Sequence, residues 1–392
     1  MKIMLANFAK MVQDSGGLAK VTCAFANEMV KRGHEVTLVY SDDKEGDFFF
    51  PISEQVVCFN LRHYKGKHCL YPVYLKLKRE LLRAIDERRG RGVNNAFTFK
   101  YLLPQIKEIL AEAQPDVIVS SQPASSKVYL CDLHTSIPVI TMSHGDPEDY
   151  FHTYPVEELP ALGLSAACQV LMPSFAKAIT KRFPDQKTVV IGNVVLQHEQ
   201  PVDLMRSKGW YKIIFIGRLV RNHKRPHLLL EAFCRIASEF PNWQLELWGA
   251  EDNKKYTKQL QDMIVNNSLT ERVFIKGTTN DVNGVLCEGD LFAFPSAYEG
   301  FGLTLAEAMS IGLPGIGYRN CAAVNELIED GANGYLCDEG VDDLALKLRQ
   351  LMGDAALRCE LGKNAHNSMR QYAAEIIWKQ WEDLLLSVAN KQ

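Results

Sequence analysis

The chain has 392 residues, 47% of them hydrophobic and 23% charged, with a formal net charge of −3. Its length exceeds what one hydrophobic core usually organises, so about two domains are expected, and its composition excludes a disordered, fibrous or collagen-like chain. The near-neutral balance offers no global field for nucleic acid. The 10 cysteines stand singly, with no C-x-x-C pair and no His at zinc-ligand spacing, which reads as free thiols in a reducing compartment. The opening MKIMLANFAK and the residues after it lack the long apolar segment and small-residue cleavage site of a signal peptide. No stretch reaches the roughly 20 apolar residues that span a bilayer, and a cytoplasmic enzyme is expected.

Short apolar runs alternate with amphipathic stretches along the whole chain, the signature of βαβ units and a parallel sheet buried on both faces. In the first half KIMLANFA, EVTLVY, DVIVSS, PVITMS, QVLMPS and TVVIGN predict strands. Among the helices between them is the segment 18–32, where Leu18, Val21, Phe25 and Met29 fall at helical spacing and Gly33 supplies the stop. Apolar character gives way at NVVLQHEQPVD, residues 193–203, which reads as a short linker. The rhythm restarts with YKIIFIGRL, a helix over 226–240 opened by Pro226 at a favoured first-turn position, QLELWGA, VFIKGTT, LFAFPS and PGIGY. The final EIIWKQWEDLLLSVANKQ predicts a terminal helix with Ile376, Ile377, Trp381, Leu384 and Leu385 on one side. An α/β fold of two doubly wound, Rossmann-like domains follows, over 1–195 and 203–372, with a helix at 373–392 packing back on them. Open α/β sheets bind ligands beyond the carboxyl ends of their strands, which makes the inter-domain cleft the default site.

The loops at those ends carry the chemistry. Past Gly217, which closes the strand IIFIG, stand Arg218 and Lys224, just before the Pro226 helix; Arg221 and Arg225 add to them. Cations at a strand end beside free backbone donors make an anion site, although solvated surface charge is the bland reading. In YEGFGLTLAEA two carboxylates, Glu299 and Glu307, bracket Gly300-Phe301-Gly302. The glycines allow backbone amides, Leu303 and Thr304 included, to approach a ligand closely, and the helix N-terminus favours a phosphate. Thr304 to Glu307 also spells a capping box, which would leave Glu307 a structural role. Gly16 and Gly17 follow the first strand as a turn that is not G-x-G-x-x-G, and His144 follows PVITMS at the edge where ligands bind. Asp42-Asp43 lacks the spacing of a D-x-D metal pair.

Over residues 62–107 basic side chains outnumber acidic ones, and Tyr64, Tyr71, Tyr74, Phe97, Phe99 and Tyr101 are interleaved with them. Such a segment binds anionic lipid headgroups or forms a solvated helix face, and both readings stay open. No nucleic-acid motif accompanies it.

In order and spacing these features resemble the retaining nucleotide-sugar glycosyltransferases of GT-B fold with the E-x7-E motif, the family 4-like group. The resemblance rests on the Gly16-Gly17 loop, His144, Arg218 with Lys224, EGFGLTLAE, AMSIGLPGIGY and VNELIEDGANGYL. It covers essentially the whole chain and is dense over 212–340. It implies that Arg218 and Lys224 hold the donor diphosphate, Glu307 the ribose and Glu299 the transferred sugar. Amides from Phe301 to Thr304 would cap sugar and phosphate, His144 would touch the sugar, Gly16-Gly17 would approach the diphosphate and the acceptor, and the base would lie near 277–281. It also implies a metal-independent hexosyl or N-acetylhexosaminyl transfer, with no cofactor, from a UDP-sugar to a glycan acceptor of a bacterial surface polysaccharide or lipopolysaccharide. The basic segment 62–107, on its lipid-binding reading, would dock an acceptor attached to a membrane lipid and hold the enzyme peripherally on the inner face of the membrane. A nucleotide-sugar epimerase and a non-catalytic partner subunit are the alternatives. Ala322 departs from the family pattern, which often has proline there, and Lys20 stands where some relatives have arginine.

Overall fold

The computed structural model describes residues 1–389. The chain forms two compact units, one of Met1–Gly192 joined by the chain from Trp378 onward, the other Asn193–Ile377.

The first unit is built on a seven-stranded sheet in the order Val57–Asn60, Glu35–Tyr40, Lys2–Asn7, Val117–Ser120, Val139–Ser143, Ala167–Val170, Thr188–Val190. Every pairing is parallel. Leu5 lies between Leu38 and Val119 in register, and all three are buried. Helices cover such strands on both faces, which is why they read as unbroken apolar runs. The sheet grows in both directions from Lys2–Asn7, so the direction of winding reverses there, and the carboxyl ends of Lys2–Asn7 and Val117–Ser120 flank the reversal. The helix Gly17–Lys31 ends as its sequence predicts: Gly33 takes φ 84°, and the His34 N–H donates to the Met29 carbonyl at 3.0 Å, closing the last turn.

The second unit repeats the design with six parallel strands in the order Val273–Gly277, Trp243–Trp248, Tyr211–Ile216, Leu291–Phe294, Gly315–Tyr318, Gly334–Cys337. Here the reversal falls between Tyr211–Ile216 and Leu291–Phe294. At the neighbouring strand Trp243–Trp248, Gly249 takes φ 148°, and a Cβ there would lie 2.0 Å from the Gly217 carbonyl oxygen; only glycine lets the two strand ends come so close.

Three expectations need correction. QVLMPS is not the strand: it runs Ala167–Val170, and the buried Leu171 and Met172 lead into the helix Pro173–Arg182. The helix expected over 226–240 is α-helical only over Pro226–Ile236, and Ala237–Glu239 tightens to a 3-10 turn. In the terminal helix Ala374–Ala389, Ile376 is exposed while Trp378 joins Ile377, Trp381, Leu384, Leu385 and Val388 on the buried stripe. Within the first unit Trp378 and Trp381 meet Phe25 edge-on, with ring centroids 6.2 and 5.0 Å away, and Arg32 pairs with Glu382 at 2.7 Å. The last three residues of the expected helix lie outside the described residues.

Candidate functional site

In the second unit the loops on either side of the sheet reversal converge. Lys224 donates to Glu299 Oε1 at 2.5 Å and places its ammonium 4.6 Å from the centre of the Phe294 ring. Both side chains are largely enclosed. His223, the residue before Lys224, for which no role is read from the sequence, completes the group. Its ring stacks flat on Tyr298 at 4.1 Å, its Nε2 lies 2.9 Å from the Tyr298 carbonyl and 3.7 Å from Glu299 Oε1, and its own carbonyl accepts from the Ala297 N–H at 2.8 Å. A carbonyl accepts only, so Nε2 carries the proton. Burial, then the neighbouring Lys224 and Arg218 charges, push this imidazole below its ordinary range against the pull of Glu299, so it is held neutral. Arg218, one residue past Gly217, is exposed at the same edge. A Cβ at Gly217 would come within 3.4 Å of the Lys224 stem, so the glycine lets that stem lie over the strand end.

The four cations of this loop divide their work. Arg225 does not thicken the anion site: at φ 48° it donates to the Pro295 and Ser296 carbonyls at 2.9 and 3.0 Å, pairs with Glu339 and lies over the Tyr318 ring. It clamps the loop after Leu291–Phe294. Arg221 turns away toward Gln259 and the Tyr256 ring and lines a separate cavity of about 310 Å³. Arg218 and Lys224 remain as the cations at the reversal.

The turn into the helix Leu303–Ile311 is set by Gly302, at φ 79°, as its N-cap, so the N-cap is a glycine with no side chain to cap the first turn and not Thr304. The capping-box reading therefore fails. Thr304 is the second helical residue, and its hydroxyl donates to the Ile216 carbonyl at 3.2 Å, tying the helix start to the end of Tyr211–Ile216. Glu307 follows on the same helix as a half-buried side chain among buried neighbours, and Leu303 is half-buried one residue past the cap. Phe301 is buried edge-on against Tyr372 at 5.1 Å, so its side chain belongs to the core, beside a half-buried Gly300. The loop carrying Cys321 lies close by: burial and then the Glu299 charge push that thiol up to about 12. Ala323, next to the unusual Ala322, takes φ 68°, a conformation that disfavours side chains.

In the first unit Gly16 N-caps Gly17–Lys31 in an extended conformation and donates to Asp14 at 3.0 Å. Asp42 is an anchor for the preceding loop, accepting the Met11 and Val12 N–H groups at 2.9 Å each, while Asp43 pairs with Arg62. His144 follows Val139–Ser143, with one strand between it and Lys2–Asn7. Burial pushes its imidazole down to about 4, and its Nε2 is buried with no partner in the protein. No bond joins His144 to the Gly16-Gly17 turn among the described residues; they share the carboxyl edge of one sheet. Among the described residues no group of three or more His, Cys, Asp or Glu side chains is placed to hold a metal ion.

Residues 62–107 form the helices Val73–Ile85 and Glu87–Phe97, and they do two things at once. Val73, Leu77, Leu81 and Ile85, one stripe at i, i+4 spacing, are 62 to 77% exposed. The other side of Val73–Ile85 contributes Arg79 and Arg83 to a cavity of about 430 Å³, where Arg62, Arg91 and Lys127 join them. Glu158, 2% exposed, lines the same cavity; Oε1 accepts from Asn95 at 2.7 Å and Oε2 has no partner. Burial raises this carboxyl to about 7, against the Asn95 bond and with help from the Glu157 charge. The folded chain thus holds the proton more tightly than the unfolded one, and its stability falls as pH climbs from the usual carboxylate range through about 7. Glu158→Gln is expected to be more stable than the wild type at pH 8, by up to roughly 3 kcal/mol, with the gain fading toward pH ~4.5. Urea unfolding at both pH values measures it; equal midpoints at pH 8 would contradict the assignment.

Among known proteins, residues 15–195 match the family described as Glycosyltransferase Family 4, and residues 196–368 match Glycosyl transferases group 1. The chain is 23% identical over 383 residues to the amylovoran biosynthesis glycosyltransferase AmsD of Erwinia amylovora, covering 95% of this chain and 97% of that one. It is 29% identical to a poly(ribitol-phosphate) alpha-N-acetylglucosaminyltransferase of Staphylococcus aureus over 53% of this chain and 41% of that protein. It is 30% identical to an exopolysaccharide phosphotransferase of Streptomyces coelicolor, with which it shares 53% of its own length but only 21% of that protein's. Among solved structures it is similar to sucrose-phosphate synthase from Thermosynechococcus elongatus, at TM-score 0.78, 16% identity and full coverage of both chains (100% each). It is also similar to a variant of S. aureus TarM bound to fondaparinux, alpha-GlcNAc-glycerol and UDP, at TM-score 0.74, 17% identity and 98% of this chain on 100% of that one.

Proposed function

The chain belongs to the family 4 and group 1 glycosyltransferases, whose two models together match it from residue 15 to residue 368, and on that premise we propose that it moves a sugar from a nucleotide diphosphate donor, UDP-linked, to a growing bacterial surface glycan. The observation that carries the reading is the Lys224–Glu299 pair at the sheet reversal, beside Arg218 and the start of Leu303–Ile311. When the bond from sugar to diphosphate breaks through an oxocarbenium-like state, negative charge grows on the departing phosphate. Fixed cations there act most strongly in the transition state. Lys224 and Arg218 take that role in place of a divalent ion, and the backbone amides of the helix start add to it. Glu299 accepts sugar hydroxyls and, through its bond to Lys224, holds the ammonium in line; Glu307 takes the ribose. Transfer proceeds with retention, the acceptor attacking from the face the phosphate leaves and the phosphate taking its proton. Glu299 then serves as a binding group rather than the nucleophile of a double displacement. His144, neutral at working pH, offers a hydrogen bond to the sugar, and the Gly16-Gly17 turn faces diphosphate and acceptor.

We place the protein at the inner face of the membrane. No helix among the described residues is long and apolar enough to cross a bilayer. The exposed stripe Val73, Leu77, Leu81 and Ile85, flanked by Lys76 and Lys78, has the amphipathic character of an interfacial helix on anionic lipid. Leu77→Glu with Leu81→Glu is expected to abolish sedimentation with phosphatidylglycerol vesicles while wild-type chain pellets at low salt; equal pelleting of the two would remove the stripe from the interface.

The reaction is tested by nucleotide release and acceptor mass, measured together over a panel of nucleotide-sugars with and without glycan acceptors. Transfer adds one sugar mass to the acceptor for each nucleotide released. A free epimer formed without acceptor indicates an epimerase, and nucleotide-sugar binding with no product indicates a non-catalytic subunit; either result overturns the reading.

A further inference from the structure

We infer that the cavity bounded by Arg79, Arg83, Arg91 and Lys127 is an anion subsite that receives the phosphate of a phosphate-bearing acceptor, a phosphodiester or a pyrophosphate joined to a hydroxyl-rich group. The inference rests on the transferase reading for the word acceptor, and on the geometry of the first unit for the rest.

Six basic side chains, Lys10 and Arg62 included, line the cavity with a single carboxyl, Glu158. Acidic partners hold five of them: Asp43 holds Arg62, Glu80 is shared by Arg79 and Arg83, Glu87 holds Arg91, and Asp132 holds Lys127 at 2.8 Å. None of those four acids lines the cavity. The guanidiniums are also propped on aromatic faces, Arg91 at 4.1 Å from the Tyr154 ring centre and Arg79 at 5.4 Å from that of Tyr71, so they are aimed before a ligand arrives. Rigid guanidinium forks match phosphate oxygens in pairs, which is the geometry that favours arginine over lysine here. Glu158 supports the same ligand. It lines this space with a buried Oε2 that has no partner in the protein, and a carboxyl whose burial favours the protonated form adds a donor where an ionised one would repel an anion. Neutral polar groups, Asn94, Asn95, Thr98 and Gln122, line the remaining wall and suit hydroxyls beyond the phosphate. The site also lies at the sheet reversal of its unit: Phe8 and Ala9 line it just past Lys2–Asn7, and Gln122 just past Val117–Ser120.

The same helix that carries Arg79 and Arg83 inward shows its apolar stripe outward. A pyrophosphate on a membrane lipid and a polyol-phosphate chain would both present the required anion, and the experiment separates them. With UDP saturating, so that the Lys224 site is occupied, dissociation constants are measured by calorimetry for farnesyl-pyrophosphoryl-GlcNAc, for a glycerol-phosphate trimer and for a neutral alkyl GlcNAc. At least one phosphate-bearing probe is expected to bind more tightly than the neutral glycoside, and the tighter of the two names the source. Arg79→Gln with Arg83→Gln should weaken that probe by at least about tenfold, as for loss of hydrogen bonds to a charged group, and leave the neutral glycoside and UDP unchanged. Among the described residues the ion pairs of these arginines reach only Glu80 on their own helix, and Arg79 also lies over the Tyr71 ring. Should UDP binding be lost as well, Lys127→Gln reads the same contact from another element. Unchanged affinity in both variants, or a neutral glycoside that binds as tightly as the phosphates, overturns the subsite. A chain that holds the phosphate probes through these arginines yet transfers no sugar would refute the transferase reading and leave the subsite standing.

Discussion

Lys224→Ala is expected to lower turnover with the nucleotide-sugar by about two orders of magnitude or more, the scale on which one preorganised transition-state contact acts, while the folded chain is retained. The division of labour in the loop makes this a clean experiment. Arg225 fixes the neighbouring segment through the Pro295 and Ser296 carbonyls, and His223 fixes it through Tyr298 and Ala297; Lys224 contributes its ammonium, to Glu299 and over the Phe294 ring, and a stem that lies over Gly217. Truncation removes a charge without releasing the backbone. Steady-state kinetics and far-ultraviolet circular dichroism on the same preparation check both halves of the statement, and a turnover near the wild-type value would remove Lys224 from the leaving-group site.

Glu299→Ala is expected to cost turnover on a similar scale, about a hundredfold or more, with a different signature. The carboxylate neutralises Lys224 at 2.5 Å and stands beside His223. Without it the ammonium is free for phosphate, so UDP affinity is retained or increased while transfer collapses, a loss in kcat without loss of nucleotide binding. Removing Lys224 weakens UDP as well. Calorimetry with UDP beside the kinetics separates the two residues; parallel weakening of UDP in both variants would show Glu299 acting on the diphosphate rather than on the sugar.

The sheets were legible because parallel strands covered on both faces have no polar alternation to hide them. Glu35–Tyr40, Val139–Ser143 and Leu291–Phe294 lie where their apolar runs stand. Val57–Asn60 and Gly334–Cys337 are harder to see because they are edge strands: the first is exposed at Val57 and Cys58, and the second is four residues opened by a glycine that fits beneath the Gly315 carbonyl. Glu299 and Glu307 could be read from spacing around two glycines. The competing cap could not be dismissed until Thr304 was seen bonded to Ile216. Charge alone did not separate Arg218 and Lys224 from Arg221 and Arg225, since the difference lies in the partners: the Pro295 and Ser296 carbonyls hold Arg225, Gln259 and the Tyr256 ring draw Arg221 away, and Lys224 turns to Glu299. No role could be read for His223 beside Lys224; only its stacking on Tyr298 sets it beside Glu299. The arginines of 62–107 were visible as a basic segment, but which of them face a cavity depends on how Val73–Ile85 and Glu87–Phe97 pack against one another.

The most direct test is a crystal structure of the protein with an intact UDP-sugar or its non-transferable analogue. The nucleotide diphosphate should lie with its oxygens within hydrogen-bond distance of Lys224 Nζ and the Arg218 guanidinium, and the sugar hydroxyls on Glu299. A donor whose phosphates bind elsewhere, with Lys224 still closed on Glu299 alone, would contradict the central claim.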